Sequence, residues 1–101
     1  MNRQPALDPP GHCPLDGVRI MDLSRLVAGN TLTMALGDLG AEVIKVEPAA
    51  GDTLRGWKVA GQSTAWKAYC RNKKSLALEF RKPEAIAIMR RLAAQSQVLV
   101  E

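Results

Sequence analysis

Residues 18–48 read VRIMDLSRLVAGNTLTMALGDLGAEVIKVEP, and this stretch decides the fold class. It opens with a short, mostly apolar run of strand length at residues 18–23. It closes with a second run, residues 42–47, which is rich in β-branched residues. Pro48 follows and lacks the amide that a continuing strand needs. The two ends of the stretch are therefore predicted to be β-strands.

The residues between the two strands are typical of a helix. Asn30 or Thr31 can cap its first turn, because a short side-chain oxygen satisfies the free amides there. The helix is predicted to run through Leu39, and Gly40 stands where a C-terminal glycine belongs. Strand, helix and strand follow one another.

The downstream half repeats this order after a long irregular stretch. Residues 48–72 are predicted to be a loop with one short helix near residues 63–69. Residues 75–80 alternate as a strand does, Pro83 suits the first turn of a helix, and residues 98–100 open a last strand. One apolar helix face is expected from Ala85, Ile86, Met89, Leu92 and Ala93. The order β-α-β, long loop, β-α-β predicts an α/β fold, a partial doubly wound (Rossmann-like) parallel sheet.

Length and composition exclude several protein classes. The chain has 101 residues, 47% of them hydrophobic, which suits one small globular domain. Residues 1–14 form a proline-rich lead that we expect to be flexible, and residues 15–101 form the domain. No run suits a membrane span or a signal peptide, so a cytoplasmic protein is expected. His12 and Cys13 stand apart from other metal-binding residues, and no metal is predicted.

Charge is unevenly distributed along the chain. Residues 1–54 carry 4 basic and 7 acidic side chains, whereas residues 55–82 carry 8 basic and 1 acidic. Such a basic segment suits an anionic ligand, a nucleotide phosphate or nucleic acid, and equally suits a solvated loop surface. Trp57, Trp66 and Tyr69 lie within it, which keeps a nucleic-acid-binding module open as an alternative.

Ligands of parallel sheets bind outside the carboxyl ends of the strands. That rule selects the loop at residues 24–30, the end of the second strand at Glu47 and Pro48, and residues 78–82. Lys73 and Lys74 precede the predicted third strand. We expect them at the opposite edge, as solvent-facing charges or partners for acids.

Nucleotide-binding and catalytic motifs are weak. The first strand is followed by SRLVAGN instead of a glycine-rich dinucleotide turn. Glu47 could bind a ribose hydroxyl, although capping or surface exposure explains it equally well. Ser24 or Ser75 would have only His12 as a base, so no triad is predicted. Asp22 is unusual inside an apolar strand and is interpreted as an acceptor for nearby backbone or for Arg25.

Ordered motifs over residues 14–101 resemble a known family. They are PLDGVRIMDLSR at 14–25, AG at 28–29, LGDLGAEVIKVEP at 36–48, GD at 51–52, RGW at 55–57, RNKKS at 71–75, KPE at 82–84 and VLVE at 98–101. Together they closely resemble the amino-terminal segment of the class III CoA-transferases. This family includes formyl-CoA transferase, carnitine CoA-transferase and α-methylacyl-CoA racemase.

The resemblance implies acyl-CoA chemistry, with coenzyme A or acyl-CoA as substrate, a carboxylic acid acceptor and a homodimer, and without metal, nucleic acid or membrane. Family members transfer CoA through an aspartate that forms a mixed anhydride and then a thioester. That aspartate lies downstream of the matched segment, so no catalytic residue is assigned and the chain alone is expected to be inactive. The implied CoA contacts are Val27, Ala28, Pro48, Leu78, Glu79, Phe80 and Arg81.

Two positions depart from the family pattern. Asn30 stands where the family often has proline, and Pro48 replaces a basic residue of the formyl-CoA branch. Two alternatives to the transferase stay open: a racemase-type member, and a small nucleotide-binding module complete in itself.

Overall fold

The computed structural model describes residues 13–101, which form a four-stranded parallel sheet with helices on both faces. The strands stand in the order β3-β2-β1-β4, and every neighbouring pair is parallel. Their bounds are Arg19–Asp22 (β1), Glu42–Pro48 (β2), Lys73–Leu78 (β3) and Val98–Val100 (β4). This confirms the predicted α/β class. Most of the proline-rich lead, including His12, lies outside the described residues.

A single helix makes each of two of the three connections between successive strands. Helix α1, Ala28–Asp38, joins β1 to β2, and helix α3, Pro83–Ala94, joins β3 to β4. The long connection between β2 and β3 contains a 3-10 helix at Thr53–Gly56 and helix α2 at Thr64–Tyr69. The short helix was predicted within one residue of its start, whereas the 3-10 helix was not predicted. Within residues 13–101, no helix is long and apolar enough to cross a membrane.

Successive side chains of a strand point to opposite faces, so the sheet has two different cores. The face that packs against α3 is apolar, with Met21, Val46, Leu78 and Ala85 buried among Leu23, Leu76, Met89 and Leu92. The opposite face has a smaller apolar cluster of Ile20, Ala41 and Val43. On that face the next side chains toward the carboxyl ends, Asp22, Lys45 and Glu47, are polar and fully buried.

Helix α1 begins earlier than predicted, and its predicted caps are wrong. Val27 is the N-terminal flanking residue, and no side chain among residues 13–101 caps the first turn. Asn30 and Thr31 lie inside the helix, where their side chains donate hydrogen bonds to the carbonyls of Leu26 and Val27. Polar side chains that bond four residues back in this way are an alternative to capping.

Gly40 occupies the predicted position after helix α1. Its φ is +106°, a left-handed conformation that favours glycine. A side chain there would also meet Asp16, whose Oδ1 lies 2.9 Å from the position of an added Cβ. The glycine is therefore required both by the turn and by the close approach of the preceding segment.

Strand β3 is displaced by two residues from the predicted span. It pairs with β2 from Val43 opposite Lys73 to Pro48 opposite Leu78. The prediction that Lys73 and Lys74 precede the strand is therefore wrong. The alternation of residues 75–80 could not show this, because a period of two is unchanged by a shift of two residues.

The apolar face predicted for α3 is only partly buried. Ala85 is buried and Met89 and Leu92 pack on the core, whereas Ile86 remains 41% exposed. Pro83 occupies the first turn, as predicted.

Candidate functional site

A cavity of about 290 Å³ opens at the carboxyl edge of the sheet, where the sequence predicted a ligand. Residues from all four strand ends and from α3 line it: Leu23, Ser24, Arg25, Val46, Pro48, Asp52, Phe80, Met89 and Glu101. We call this space the carboxyl-edge cavity. Its two polar walls are the β1–α1 loop, at Ser24 and Arg25, and the loop after β2, at Asp52.

The structure brings only two of the seven predicted contact residues into this cavity. Pro48 ends β2, and Phe80 follows β3 and is 38% exposed. Val27 and Ala28 lie at the start of α1 and are exposed.

The other three predicted residues lie at or after the end of β3. Leu78 is packed into the core and is only 9% exposed. Glu79 and Arg81 are exposed in the β3–α3 connection, where the Glu79 side chain accepts a hydrogen bond from the Arg81 amide. All seven lie at the carboxyl edge, but they do not form one pocket.

A layer of buried charged side chains lies next to the cavity on the α1 face of the sheet. Its members are Asp22, Lys45, Glu47, Asp52 and Lys73, with side chains 0–2% exposed. We call these five side chains the ionic layer. Among the described residues, every buried side-chain nitrogen and oxygen has a hydrogen-bond partner, which is what makes such burial tolerable.

Asp22 anchors the start of the β1–α1 loop. Its Oδ1 accepts hydrogen bonds from the Ser24 amide at 2.8 Å and the Ser24 hydroxyl at 2.5 Å, and its Oδ2 accepts one from Thr33 at 2.6 Å. Burial opposes ionisation, but the hydroxyls of Ser24 and Thr33 outweigh it and lower the pKa of Asp22. Of the two donors considered for Asp22, nearby backbone is confirmed, whereas Arg25 donates to Thr53 instead.

Lys45 joins the two polar walls of the cavity. Its Nζ donates a 2.6 Å hydrogen bond to the Ser24 carbonyl and lies 2.9 Å from Asp52 Oδ2. Asp52 in turn accepts from the Leu54 amide at the start of the 3-10 helix. One ammonium group thus contacts the loop after β1 and the loop after β2.

Glu47 is neither surface-exposed nor free to bind a ribose. Its carboxylate accepts two hydrogen bonds from Arg55, at 2.7 and 2.9 Å, and others from Ser75 and the Asp52 amide. Burial opposes ionisation, but these donors, led by Arg55, lower the pKa of Glu47 to about 2. The Arg55 guanidinium also stacks 3.7 Å from the Trp66 ring centroid. Glu47 therefore holds the long β2–β3 connection to the sheet.

Asn30 and Lys73 complete the layer beneath α1. Lys73 Nζ lies 3.2 Å from Asp22 Oδ2 and donates a 3.0 Å hydrogen bond to Asn30 Oδ1. Burial lowers the pKa of Lys73, although the Asp22 carboxylate acts in the opposite direction. The side-chain amide of Asn30 donates a hydrogen bond to the carbonyl of Leu26. Leu26 has a φ of +60°. Asn30 thus supports a left-handed residue in the middle of the β1–α1 loop.

Four of the eight basic side chains of residues 55–82 pair with acids from the first half of the chain. Arg55 pairs with Glu47, Arg71 with Asp38, Lys73 with Asp22, and Lys74 with Glu42. For Lys73 and Lys74 this confirms the interpretation as partners for acids. Within residues 13–101, Lys58, Lys67, Arg81 and Lys82 form no salt bridge. Half of the segment's basic side chains thus serve the fold.

Sequence reasoning missed Lys45 and Asp52. One signal for Lys45 was available: it is a lysine within a strand of β-branched residues. Asp22 is unusual in the same way within the apolar run of β1. Asp52 gave no such signal, because an aspartate after a glycine is typical of any turn.

Serine hydroxyls and free backbone amides are also present near the carboxyl edge. The two serines considered as nucleophiles are committed to carboxylates, Ser24 to Asp22 and Ser75 to Glu47. No group of three or more potential metal ligands occurs within residues 13–101. The uncapped first turn of α1 leaves backbone amides at the carboxyl edge, where the helix dipole favours negative charge.

Comparison with known proteins identifies relatives along most of the chain. The family model of CoA-transferase family III matches residues 15–101. Succinyl-CoA:glutarate CoA-transferase from Mus musculus is 52% identical over 92 residues, which cover 87% of this chain and 21% of the relative. Succinyl-CoA--D-citramalate CoA-transferase from Chloroflexus aurantiacus is 40% identical and is covered to 23%. The chain thus spans about a fifth of the length of these relatives.

Solved structures agree with this result. A CAIB/BAIF family protein from Brucella suis superposes with a TM-score of 0.80 at 38% identity, over 86% of this chain and 25% of that protein. A Mycobacterium tuberculosis protein gives a TM-score of 0.84 at 38% identity, over 88% of this chain and 25% of that one. Because the family model matches nearly the whole described region, the chain belongs to CoA-transferase family III.

Proposed function

We propose that this chain forms one wall of the coenzyme A pocket of an acyl-CoA:carboxylate CoA-transferase. The observation that carries this proposal is the carboxyl-edge cavity, which lies at the strand ends of a chain that belongs to this family. Parallel sheets bind nucleotides at this edge. The resemblance noted from the sequence assigns CoA contacts to the same edge.

The chemistry of the edge suits both the apolar groups and the phosphates of coenzyme A. Pro48, Phe80 and Met89 offer apolar surface for the adenine or the pantetheine arm. The amides of Val27 and Ala28, at the uncapped start of α1, suit a phosphate. Arg25 in the cavity wall and Arg81 in the β3–α3 connection supply positive charge nearby. Leu78 and Glu79 stand at the end of β3, next to Phe80 of the cavity wall.

The full reaction needs a carboxylate nucleophile, which the family supplies downstream of the segment matched here. We therefore assign to this chain the binding of the CoA thioester and leave catalysis to that aspartate. Transfer is favoured over racemisation because the relatives named above are all called CoA-transferases. Their names share succinyl-CoA as donor, and we propose succinyl-CoA with a dicarboxylic acid as the first substrates to try.

Titration calorimetry of the 101-residue chain with CoA, NAD and a single-stranded oligonucleotide tests the binding part. We expect CoA to bind most tightly. Tightest binding to the oligonucleotide, with an affinity that falls steeply with salt, would instead identify a nucleic-acid-binding module. Tightest binding to NAD would identify a nucleotide-binding module of another kind.

A chimera tests the transfer part. The chain replaces the aligned segment of the mouse relative, and transfer of CoA from succinyl-CoA to glutarate is measured. We expect activity within about tenfold of that relative, because half of the aligned residues are identical. A folded chimera that binds CoA but transfers none would contradict the assignment of this chain to a transferase.

A further inference from the structure

Lys45 is the one side chain whose charged end contacts both polar walls of the carboxyl-edge cavity among the residues that the structure describes. Its Nζ lies 2.6 Å from the Ser24 carbonyl and 2.9 Å from Asp52 Oδ2, and both of these residues line the cavity. The Lys45 side chain itself is 1% exposed, so it is not a cavity-lining residue. Lys45 contacts the two walls from their buried side, beneath the cavity.

Besides the Lys45 contacts, one hydrogen bond joins the two walls among the described residues. Arg25 reaches Thr53 through a 3.3 Å hydrogen bond between exposed side chains, which is worth little in water. The Lys45 contacts are buried, and a charged donor in a dry site makes stronger hydrogen bonds than a neutral one. The separation of the walls therefore depends mainly on Lys45.

We propose that Lys45 is a positioning residue that fixes the width of the carboxyl-edge cavity by joining the β1–α1 loop to the loop after β2. Its effect on CoA rests on the proposed function above, whereas its effect on the two loops does not. Without the ammonium group, Ser24 loses its tie to Asp52, and the loops move independently. The cavity then has to be ordered by the ligand at binding, which weakens affinity.

Lys73 provides a matched control. It is also a lysine of the ionic layer with a side chain only 2% exposed, but its ammonium contacts Asp22 and Asn30 and no residue of the cavity lining. When Lys73 is removed, Asp22 keeps its three hydrogen bonds from Ser24 and Thr33. Lys73→Met therefore removes a buried charge of the same kind and leaves the tie between the walls intact.

The experiment measures amide hydrogen exchange in the 101-residue chain and its variants Lys45→Met and Lys73→Met. The reporters are the amides of Ser24, Asp52 and Leu54, which are hydrogen-bonded in the two walls, and their exchange is compared with that of β2 amides, which follows global unfolding. In Lys45→Met we expect the reporters to exchange about tenfold faster relative to β2. In Lys73→Met we expect reporters and β2 to change together.

Two further variants keep the test usable if Lys45→Met does not fold. Lys45→Met combined with Asp52→Asn leaves no unpaired buried charge, and the introduced side-chain amide keeps an oxygen that can accept from the Leu54 backbone amide. This double variant should fold and show the same fast exchange at Ser24. Lys45→Arg, which keeps a cationic donor at this position, should restore slow exchange. The proposal would be overturned if the exchange of the reporter amides relative to β2 were the same in Lys45→Met and Lys73→Met.

Calorimetry with CoA separates this proposal from the proposed function. We expect the CoA affinity to fall about tenfold in Lys45→Met and less than threefold in Lys73→Met. A wild-type chain that binds no CoA, with the exchange pattern as expected, would refute the proposed function and leave the role of Lys45 standing. CoA binding with identical losses in the two variants would refute the role of Lys45 alone.

Discussion

Lys73 Nζ lies 3.2 Å from Asp22 Oδ2, although 51 positions separate the two residues and strand β2 stands between their strands. The lysine side chain extends across the α1 face of β2 and reaches an aspartate that has no exposed surface. This contact links the first strand to the third, which do not pair directly.

Asp22→Asn is expected to destabilise the fold strongly. It leaves the Lys73 ammonium buried without its counter-charge, and breaking a buried pair in this way costs about 3 kcal/mol or more. Urea denaturation followed by circular dichroism measures the loss. Asp38→Asn is the control, because it removes an exposed partner of Arg71 and should change stability little. Equal effects of the two substitutions would contradict the importance of burial.

Glu47 should make the fold sensitive to acid. Its pKa is about 2 in the folded chain against an ordinary value of 4.5, so the unfolded chain takes up a proton more readily. The ionised group stabilises the fold above about pH 5 by about 3 kcal/mol, and this contribution is lost as the pH falls toward 2. Glu47→Gln should show a flatter dependence of stability on pH between these values. An unchanged slope would assign acid sensitivity to other carboxylates.

Two glycines of helix α1 should respond oppositely to alanine. At Gly29 an added Cβ would collide with the Ser24 side chain and lie 2.6 Å from its Oγ, so Gly29→Ala should destabilise the fold and displace the β1–α1 loop. At Gly37 the nearest atom, Val43 Cγ2, is 3.5 Å away, an ordinary contact. Gly37→Ala should therefore stabilise the helix by about 0.5–1 kcal/mol. Thermal unfolding of the two variants measures the difference, and a shared sign would contradict this account of the helix.

Arg81→Ala is expected to weaken CoA binding. Arg81 is exposed at the carboxyl edge and forms no salt bridge within residues 13–101, so its charge is available to a ligand phosphate. We expect a loss of affinity of about tenfold that shrinks as salt rises. Arg90→Ala, on the exposed surface of α3, is the control in the same calorimetric titration. Equal affinities of the two variants would show that Arg81 does not contact CoA.

The fold was predictable because its signals are local. The β-branched run of β2, Pro83 at the first turn of α3 and Gly40 after α1 each act within a few residues, and each was confirmed. The start of β3 was predicted two residues late, because only pairing with β2 sets it. The capping of α1 was wrong because Asn30 has a partner in the preceding turn that competes with the cap.

The site was less predictable than the fold. The sequence placed a ligand at the carboxyl edge, and Pro48 and Phe80 do line a cavity there. It gave no account of Lys45 and Asp52, since their partnership depends on a loop conformation that brings Asp52 back over β2. Contacts between a strand and a distant loop leave no periodic pattern in the residues.

The ionic layer also discriminates against wrong pairings of the sheet. If β3 slipped by one residue along β2, Leu76 would turn toward the buried Glu47 carboxylate, and Ser75, which donates a hydrogen bond to it, would turn to the other face. Loss of a donor to a buried carboxylate costs free energy, and a wholly apolar strand would have no such cost. The hydrogen bond between Ser75 and Glu47 thus favours one alignment of β3 on β2.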